Sequence, residues 1–115
     1  MFVGALMGFV GVGLGAFGAH GLRARLSPEM MAVFQTGVQY HMYHALGLLL
    51  VSATMGHLSG WLIQTAGWAF VAGIVLFSGS LYALALTGVT ILGAITPLGG
   101  VAFLIGWACL AFAAF

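Results

Sequence analysis

The sequence has almost no charge. Arg23, Arg25 and Glu29 are its only charged side chains, 3% of 115 residues. A soluble domain carries roughly 25% charged residues, so three charges could not cover a water-facing surface. The 63% share of hydrophobic residues and the mean hydropathy of +1.24 agree. We therefore expect one all-α integral membrane domain, covering residues 1–115.

Cysteine and acidic residues are equally scarce. Cys109 is the only cysteine, which excludes an internal disulfide and a cysteine-rich metal site. One acid excludes a pair of catalytic carboxylates, and no Ser/His/Asp or Cys/His set can be defended. A net charge of +1 gives no basic patch for nucleic acid. We expect a protein that is not an enzyme, with no catalytic residues, no cofactor and no nucleic-acid partner.

Long apolar runs are what the sequence does contain. A membrane-spanning helix needs about 20 mostly apolar residues. Four segments meet this requirement, at about 2–19, 28–55, 61–86 and 97–115. The first is too long for the apolar core of a signal peptide and is interpreted as a retained helix. The fold prediction is a four-transmembrane-helix bundle.

Capping and helix-breaking residues mark the ends of these segments. Ser27-Pro28-Glu29 and Thr96-Pro97 each resemble a helix start, with a hydroxyl cap followed by proline. His20-Gly21, Gly56, Ser59 and Gly60 interrupt the apolar runs. The apolar linker 87–95 is expected to lie in the membrane interface or to form a short re-entrant piece.

The two arginines suggest an orientation. Both lie in the first connection, so this connection is expected to be cytoplasmic in a bacterial inner membrane. An even number of spans then places both termini on the opposite side.

Small residues recur at helical spacing in the first and last segments. Close packing on small residues replaces the hydrophobic drive that lipid cannot supply. The stripes indicate packing within the chain, and a seam between copies in a homo-oligomer is the alternative. The predicted packing residues are Gly4, Gly8, Gly11, Gly15, Gly18, Gly99 and Gly106, with Ala102, Cys109 and Ala113 continuing the last stripe.

The second segment holds most of the polar side chains. At 100° per residue they fill one half of the helix, which is expected to face the bundle or a water-filled cavity. This half contains Gln35, Thr36, Gln39, Tyr40, Tyr43 and His44. The other half is expected to face lipid and contains Phe34, Val38, Met42, Ala45 and Leu49.

The histidines of this segment are not equivalent. His44, at the end of the polar arc, is the better candidate for a buried role, and its simplest interpretation is a hydrogen-bonded core histidine. His41 is expected to reach the interface or a neighbouring subunit. A metal or haem site would need more ligands, such as His20 or His57, and none is expected. Outside this segment, His20 is expected to cap helix carbonyls, or to bind a lipid headgroup together with the arginines.

Several motifs together resemble a known family. These are Gly15-Ala-Phe-Gly-Ala-His20-Gly-Leu22, Phe34-Gln-Thr-Gly-Val-Gln-Tyr40, Tyr43-His44-Ala-Leu46, Phe77-Ser-Gly-Ser-Leu-Tyr82 and Gly93-Ala-Ile-Thr-Pro-Leu-Gly-Gly100. The pattern is similar to the YgdD-like family of small bacterial inner-membrane proteins, a domain of unknown function with a small eukaryotic transmembrane relative. His41 departs from this pattern, in which a glutamine is expected. The resemblance implies a four-helix membrane fold without an established activity, and it draws attention to Thr96 and Pro97.

Three functional hypotheses follow. The leading one is a non-enzymatic structural or accessory component that self-associates or joins a larger membrane complex. The second is a bundle that binds a lipid, a quinone or another amphipathic ligand. The third is a small channel or transporter that uses the polar arc. The candidate ligand-binding residues are His20, Gln35, Gln39, Tyr40, His44, Ser78 and Tyr82, of which Ser78 and Tyr82 more simply cross-link helices.

Overall fold

The computed structural model describes residues 1–58 and 60–115, so the predicted break at Ser59 lies outside the described residues. The described chain is organised as four long helical rods. The elements are α1 (Phe2–Phe17) with a π-helical turn (Gly18–Leu22), α2 (Pro28–Thr54), α3 (Trp61–Gly73) joined through a π-helical turn (Ile74–Ser78) to α4 (Gly79–Thr87), a 3₁₀ turn (Thr90–Ala94), and α5 (Thr96–Ala114).

Of the two predicted helix starts, the one at Ser27 agrees with the structure and the one at Thr96 does not. Ser27 caps α2, because its Oγ accepts a hydrogen bond from the Met30 amide at 3.2 Å, and Pro28 follows at the first position. The predicted cap at Thr96 is wrong, since Thr96 lies inside α5. Its hydroxyl is instead 2.7 Å from Ser80 Oγ, so it connects α5 to α4.

Two glycines at helix boundaries adopt positive φ angles that other residues avoid. Gly60 has φ +108° immediately before α3, and Gly88 has φ +72° immediately after α4. Glycine has no Cβ to clash in this region. The predicted linker after Gly88 forms the exposed 3₁₀ turn, which packs on α4 and the start of α5.

Helix α1 lies antiparallel along α2, and glycines set the register. A Cβ at Gly4 would lie 2.9 Å from Leu49 Cδ2, and one at Gly18 would lie 2.6 Å from Phe34 Cε1. Gly11 and Gly15 make the intermediate contacts. The predicted stripe therefore packs within the chain at four of its five positions. Gly8 is the exception, because nothing lies within 4 Å of its missing Cβ.

Helix α5 packs against α3 and the second π-helical turn. A Cβ at Gly99 would overlap the backbone nitrogen of Phe77, and one at Gly106 would lie 2.5 Å from Phe70 Cε1. A Cβ at Gly73 would likewise overlap the ring of Phe103. Each aromatic ring therefore fills the space that a missing side chain leaves on the opposite helix.

Two buried apolar clusters hold the rods together. The larger one joins α2, α3 and α5 around Phe70 and Phe103, and the smaller one joins Leu22, Phe34 and Ala85. By length and composition, three helical stretches are apolar enough to cross a membrane, namely Phe2–Leu22, Trp61–Thr87 and Thr90–Ala114. The described chain is therefore all-helical, with three stretches of membrane-spanning length, and α2 is the long helix of more polar composition.

Candidate functional site

Helix α2 is rotated relative to the sequence-based prediction. Phe34 and Ala45, expected to face lipid, are buried, whereas Gln35, Gln39 and Tyr43, expected to face the bundle, are exposed. The prediction that the polar half faces the bundle is wrong for most of its members, and His44 alone among them is buried.

The physical reason for the rotation is the fit of backbone to aromatic rings. Gly37 and Gly47 lie on the buried face of α2. A Cβ at Gly37 would lie 2.9 Å from Tyr82 Cε1, and one at Gly47 would lie 3.1 Å from Phe70 Cε2. Such close packing is what drives helix association in lipid. The spacing of these glycines was therefore a better signal for the inward face than the arc of polar side chains.

His41 is buried, with 3% of its surface exposed, so the expectation that it reaches an interface or a neighbouring subunit is wrong. Its Nδ1 lies 2.9 Å from the hydroxyl oxygen of Tyr82 on α4. Its Nε2 faces α1 near the backbone of Met7 but has no hydrogen-bond partner among the described residues. His41 therefore stands between three helices, with one ring nitrogen engaged.

Gly11 explains how α1 comes so close to this histidine. A Cβ at Gly11 would lie 3.4 Å from His41 Cδ2 and 2.5 Å from Met42 Sδ. Gly11 is four residues after Met7, so its missing side chain also leaves the carbonyl of Met7 uncovered. The sequence could have indicated this contact, because His41 is four residues after Gly37 on the same face of α2.

His44 is buried and fully hydrogen-bonded, in agreement with its simplest sequence-based interpretation. Its Nδ1 lies 2.7 Å from the backbone carbonyl of Tyr40, so this nitrogen donates. Its Nε2 accepts a 3.0 Å hydrogen bond from the indole nitrogen of Trp107. The imidazole also stacks on Phe103, with ring centroids 3.4 Å apart and planes 5° apart. The two bonds fix the neutral tautomer that carries its proton on Nδ1.

An outward-facing groove lies beside this histidine, between α2 and α5, and is called the aromatic groove here. Its volume is about 390 Å³. Tyr40 and Tyr43 on α2 and Trp107 on α5 form its exposed walls. The complete lining is Tyr40, Tyr43, His44, Phe77, Gly100, Phe103, Leu104 and Trp107. Tyr40 and His44 were predicted site residues, whereas the residues from the second π-helical turn and α5 were missed because sequence distance hides their proximity.

The register between α1 and α2 gives the depth of the aromatic groove. Gly11, near the middle of the Phe2–Leu22 stretch, lies level with His41 and Met42. The tyrosines adjacent to these residues therefore lie near the middle of the apolar length. Tyrosine is usually found at the membrane interface, where its hydroxyl meets water.

A second groove lies at the arginine end of the molecule and is called the interfacial groove here. It has a volume of about 370 Å³ and is lined by Arg23, Leu26, Pro28, Met31 and Gln35. At Gln35 it meets a furrow of about 530 Å³. This glycine furrow is lined by Gly15, Gly18, Ala32, Phe34, Gln35, Thr36, Val38 and Gln39.

The remaining predicted site residues do not join either groove. His20 is exposed on the first π-helical turn, and His57 follows α2 at the opposite end of the α1–α2 pair, so neither approaches His44. Among residues 1–58 and 60–115, no three His, Cys, Asp or Glu side chains are grouped to hold a metal ion. Tyr82 cross-links α4 to α2, whereas the buried hydroxyl of Ser78 has no partner among the described residues.

Comparison with known proteins shows that this chain is similar to several proteins named UPF0382 membrane proteins. It is 56% identical over 115 residues to the UPF0382 membrane protein YwdK of Bacillus subtilis, covering 99% of this chain and 94% of the relative. It is 52% identical to the UPF0382 membrane protein SERP0230 of Staphylococcus epidermidis, covering 98% and 92%. It is also 49% identical to the UPF0382 membrane protein SH2409 of Staphylococcus haemolyticus, covering 100% and 93%.

No solved structure matches this chain. The family described as "Protein of unknown function (DUF423)" matches residues 14–100, which include α2, both π-helical turns and the start of α5. With most of its length matched and relatives aligned end to end, this chain belongs to the DUF423 family of membrane proteins of unknown function.

Proposed function

We propose that this chain is a non-enzymatic accessory component of the bacterial cell membrane that crosses the bilayer four times and associates laterally through the aromatic groove. The observation that carries this proposal is the exposure of Tyr40 and Tyr43 level with the middle of the apolar Phe2–Leu22 stretch. Lipid tails offer these hydroxyls no hydrogen bond. The YgdD-like resemblance fits such a role, since it implies no activity.

The fourth span in this proposal is α2. Its 27 residues extend about 40 Å, more than the hydrocarbon thickness of ~30 Å. It packs antiparallel along the whole of α1, from Gly4 to Gly18. A helix that accompanies a spanning neighbour over its full length must itself cross. Its polar outer face lowers its hydropathy and creates the need for a partner.

The partner that the groove favours is a second copy of the chain. A tyrosine hydroxyl both donates and accepts, so tyrosines from two copies can pair. Tyrosine and tryptophan are also the residues enriched at the energetic centres of interfaces. Gly4, Gly11, Gly15 and Gly18 are already used within the chain, so the predicted glycine seam offers no comparable surface.

Native mass spectrometry in mild detergent, combined with cross-linking in membranes, tests the proposal. The wild type is expected to be oligomeric, and Tyr43→Leu is expected to be mainly monomeric. Phe9→Leu removes a more exposed ring from α1 and is expected to leave the oligomer intact. A wild-type monomer without any protein partner in the membrane would contradict the proposal.

A second candidate uses the same groove to bind an amphipathic ligand with an aromatic headgroup, such as a quinone. The stacked rings of His44 and Phe103 and the nearby tyrosine hydroxyls favour it. Solvent extraction of protein purified in mild detergent, followed by mass spectrometry, distinguishes the two. A stoichiometric small molecule that Tyr40→Leu abolishes would support this candidate over self-association.

A further inference from the structure

The interfacial groove and the glycine furrow are neighbours on the outside of α2, where Gln35 lines both, and together they are called the channel here. We propose that this channel binds one anionic phospholipid, with its phosphate on Arg23 and its ester carbonyls on Gln35 and Gln39. The site shares no residue with the aromatic groove, so it is independent of the lateral contact.

The charge at the mouth of the channel favours an anion. Arg23 is exposed and lines the interfacial groove, and no ion pair forms among residues 1–58 and 60–115. Glu29, the only acid, does not line the groove. A guanidinium presents a planar set of donors that matches phosphate oxygens. Arg23 is therefore a free cation at the depth where lipid phosphates lie.

The two glutamines lie at the level of the ester groups of a phospholipid, which follow its phosphate towards the membrane interior. Gln35 lies near the level of Gly18, one turn inside the end of the Phe2–Leu22 stretch. Helix side chains lean towards the N-terminus, and the N-terminus of α2 is at the arginine end. The amides of Gln35 and Gln39 therefore lean towards the headgroup layer. Ester carbonyls only accept hydrogen bonds, and these exposed amides can donate them.

The walls of the channel fit the apolar part of the same molecule. Leu26 and Met31 line the interfacial groove, where the acyl chains of the proposed phospholipid begin. Gly15 and Gly18 line the furrow below, and together with Phe34 and Val38, which pack against them, they form its apolar floor. The order of cation, amide and apolar furrow selects a lipid over free phosphate, which would use only the first of these.

Lipid retention measured by native mass spectrometry tests this site. The full chain is purified in mild detergent and incubated with phosphatidylglycerol or phosphatidylcholine. We expect preferential retention of one phosphatidylglycerol, and we expect Arg23→Gln to weaken it roughly fivefold, the effect of one cation near an anionic surface. Arg25→Gln is the matched control, because Arg25 is exposed in the same connection but does not line the groove.

Two further arms make the outcome decisive. Gln35→Leu is expected to weaken retention about threefold, in keeping with one membrane hydrogen bond, without any loss of helicity. Inorganic phosphate and deacylated glycerophosphoglycerol are expected not to displace the lipid. Equal losses in Arg23→Gln and Arg25→Gln, or displacement by inorganic phosphate, would overturn the proposal.

Discussion

The indole nitrogen of Trp107 donates a 3.0 Å hydrogen bond to Nε2 of His44, joining α5 to α2 in the apolar middle of the molecule. Because Nδ1 of the same ring is engaged with the Tyr40 carbonyl, His44 has no nitrogen left for a ligand. The bond explains why a tryptophan lies in mid-helix, away from the membrane interface. It also holds one wall of the aromatic groove in place.

Replacing this tryptophan tests the bond. Trp107→Phe keeps an aromatic ring but leaves Nε2 of His44 unpaired, and we expect a loss of about 1 kcal/mol in the free energy of unfolding. Trp68→Phe is the control, since Trp68 is an exposed indole outside this contact. Unfolding by SDS in mixed micelles provides the measurement. Equal effects of the two variants would show that the hydrogen bond contributes nothing.

The His41–Tyr82 contact gives a second prediction. Tyr82→Phe removes the partner of Nδ1 and leaves a buried imidazole without a hydrogen bond, so we expect it to destabilise the protein by about 1–2 kcal/mol. His41→Gln keeps a side chain that can bond the tyrosine hydroxyl and is expected to be better tolerated. A double-mutant cycle of Tyr82→Phe with His41→Leu, each of which removes the contact, reports the coupling in the same unfolding assay, and a coupling of zero would refute the contact.

Glycine contacts give a third prediction with an internal control. In Gly99→Ala the new methyl meets the backbone of Phe77, which cannot move as a side chain can, so we expect a loss of about 1–3 kcal/mol. Gly8→Ala meets open space and is expected to be neutral or to gain up to about 1 kcal/mol. Equal thermal stabilities of the two variants in detergent would contradict the assigned packing.

The orientation of the chain gives a fourth prediction. Because arginine-bearing connections tend to be retained in the cytoplasm, we predict that a cysteine at Ser27 in a Cys109→Ala background is labelled by a membrane-impermeant maleimide only after cell lysis. A cysteine at His57 is expected to be labelled in spheroplasts. Labelling of both positions from the same side would contradict an α2 that crosses the bilayer.

A feature could be predicted from the sequence to the extent that composition, local hydrogen bonds or residue spacing determine it. The membrane class follows from scarce charge and long apolar runs, and the cap at Ser27 is a local hydrogen bond that three residues specify. The packing of Gly4 and Gly99 follows from small-residue spacing, although spacing could not reveal that Gly8 faces open space.

The orientation of α2 could not be derived from polarity, because two requirements compete on this helix. Polar side chains would be satisfied inside the bundle, but Gly37 and Gly47 are the positions where α4 and α3 can approach closely. The close approach determines the inward face. The aromatic groove was likewise hidden, since it needs Trp107 beside Tyr40, and only the folded chain brings them together.

The most direct test of lateral association is cross-linking at position 43 in native membranes. Tyr43→Cys, in a Cys109→Ala background, places a single thiol at a half-exposed position beside the aromatic groove. We predict that mild oxidation yields a covalent dimer of this variant, and that Phe9→Cys in the same background, on the outer face of α1, remains monomeric. Equal yields at both positions, or no dimer at position 43, would contradict association of two copies through the aromatic groove.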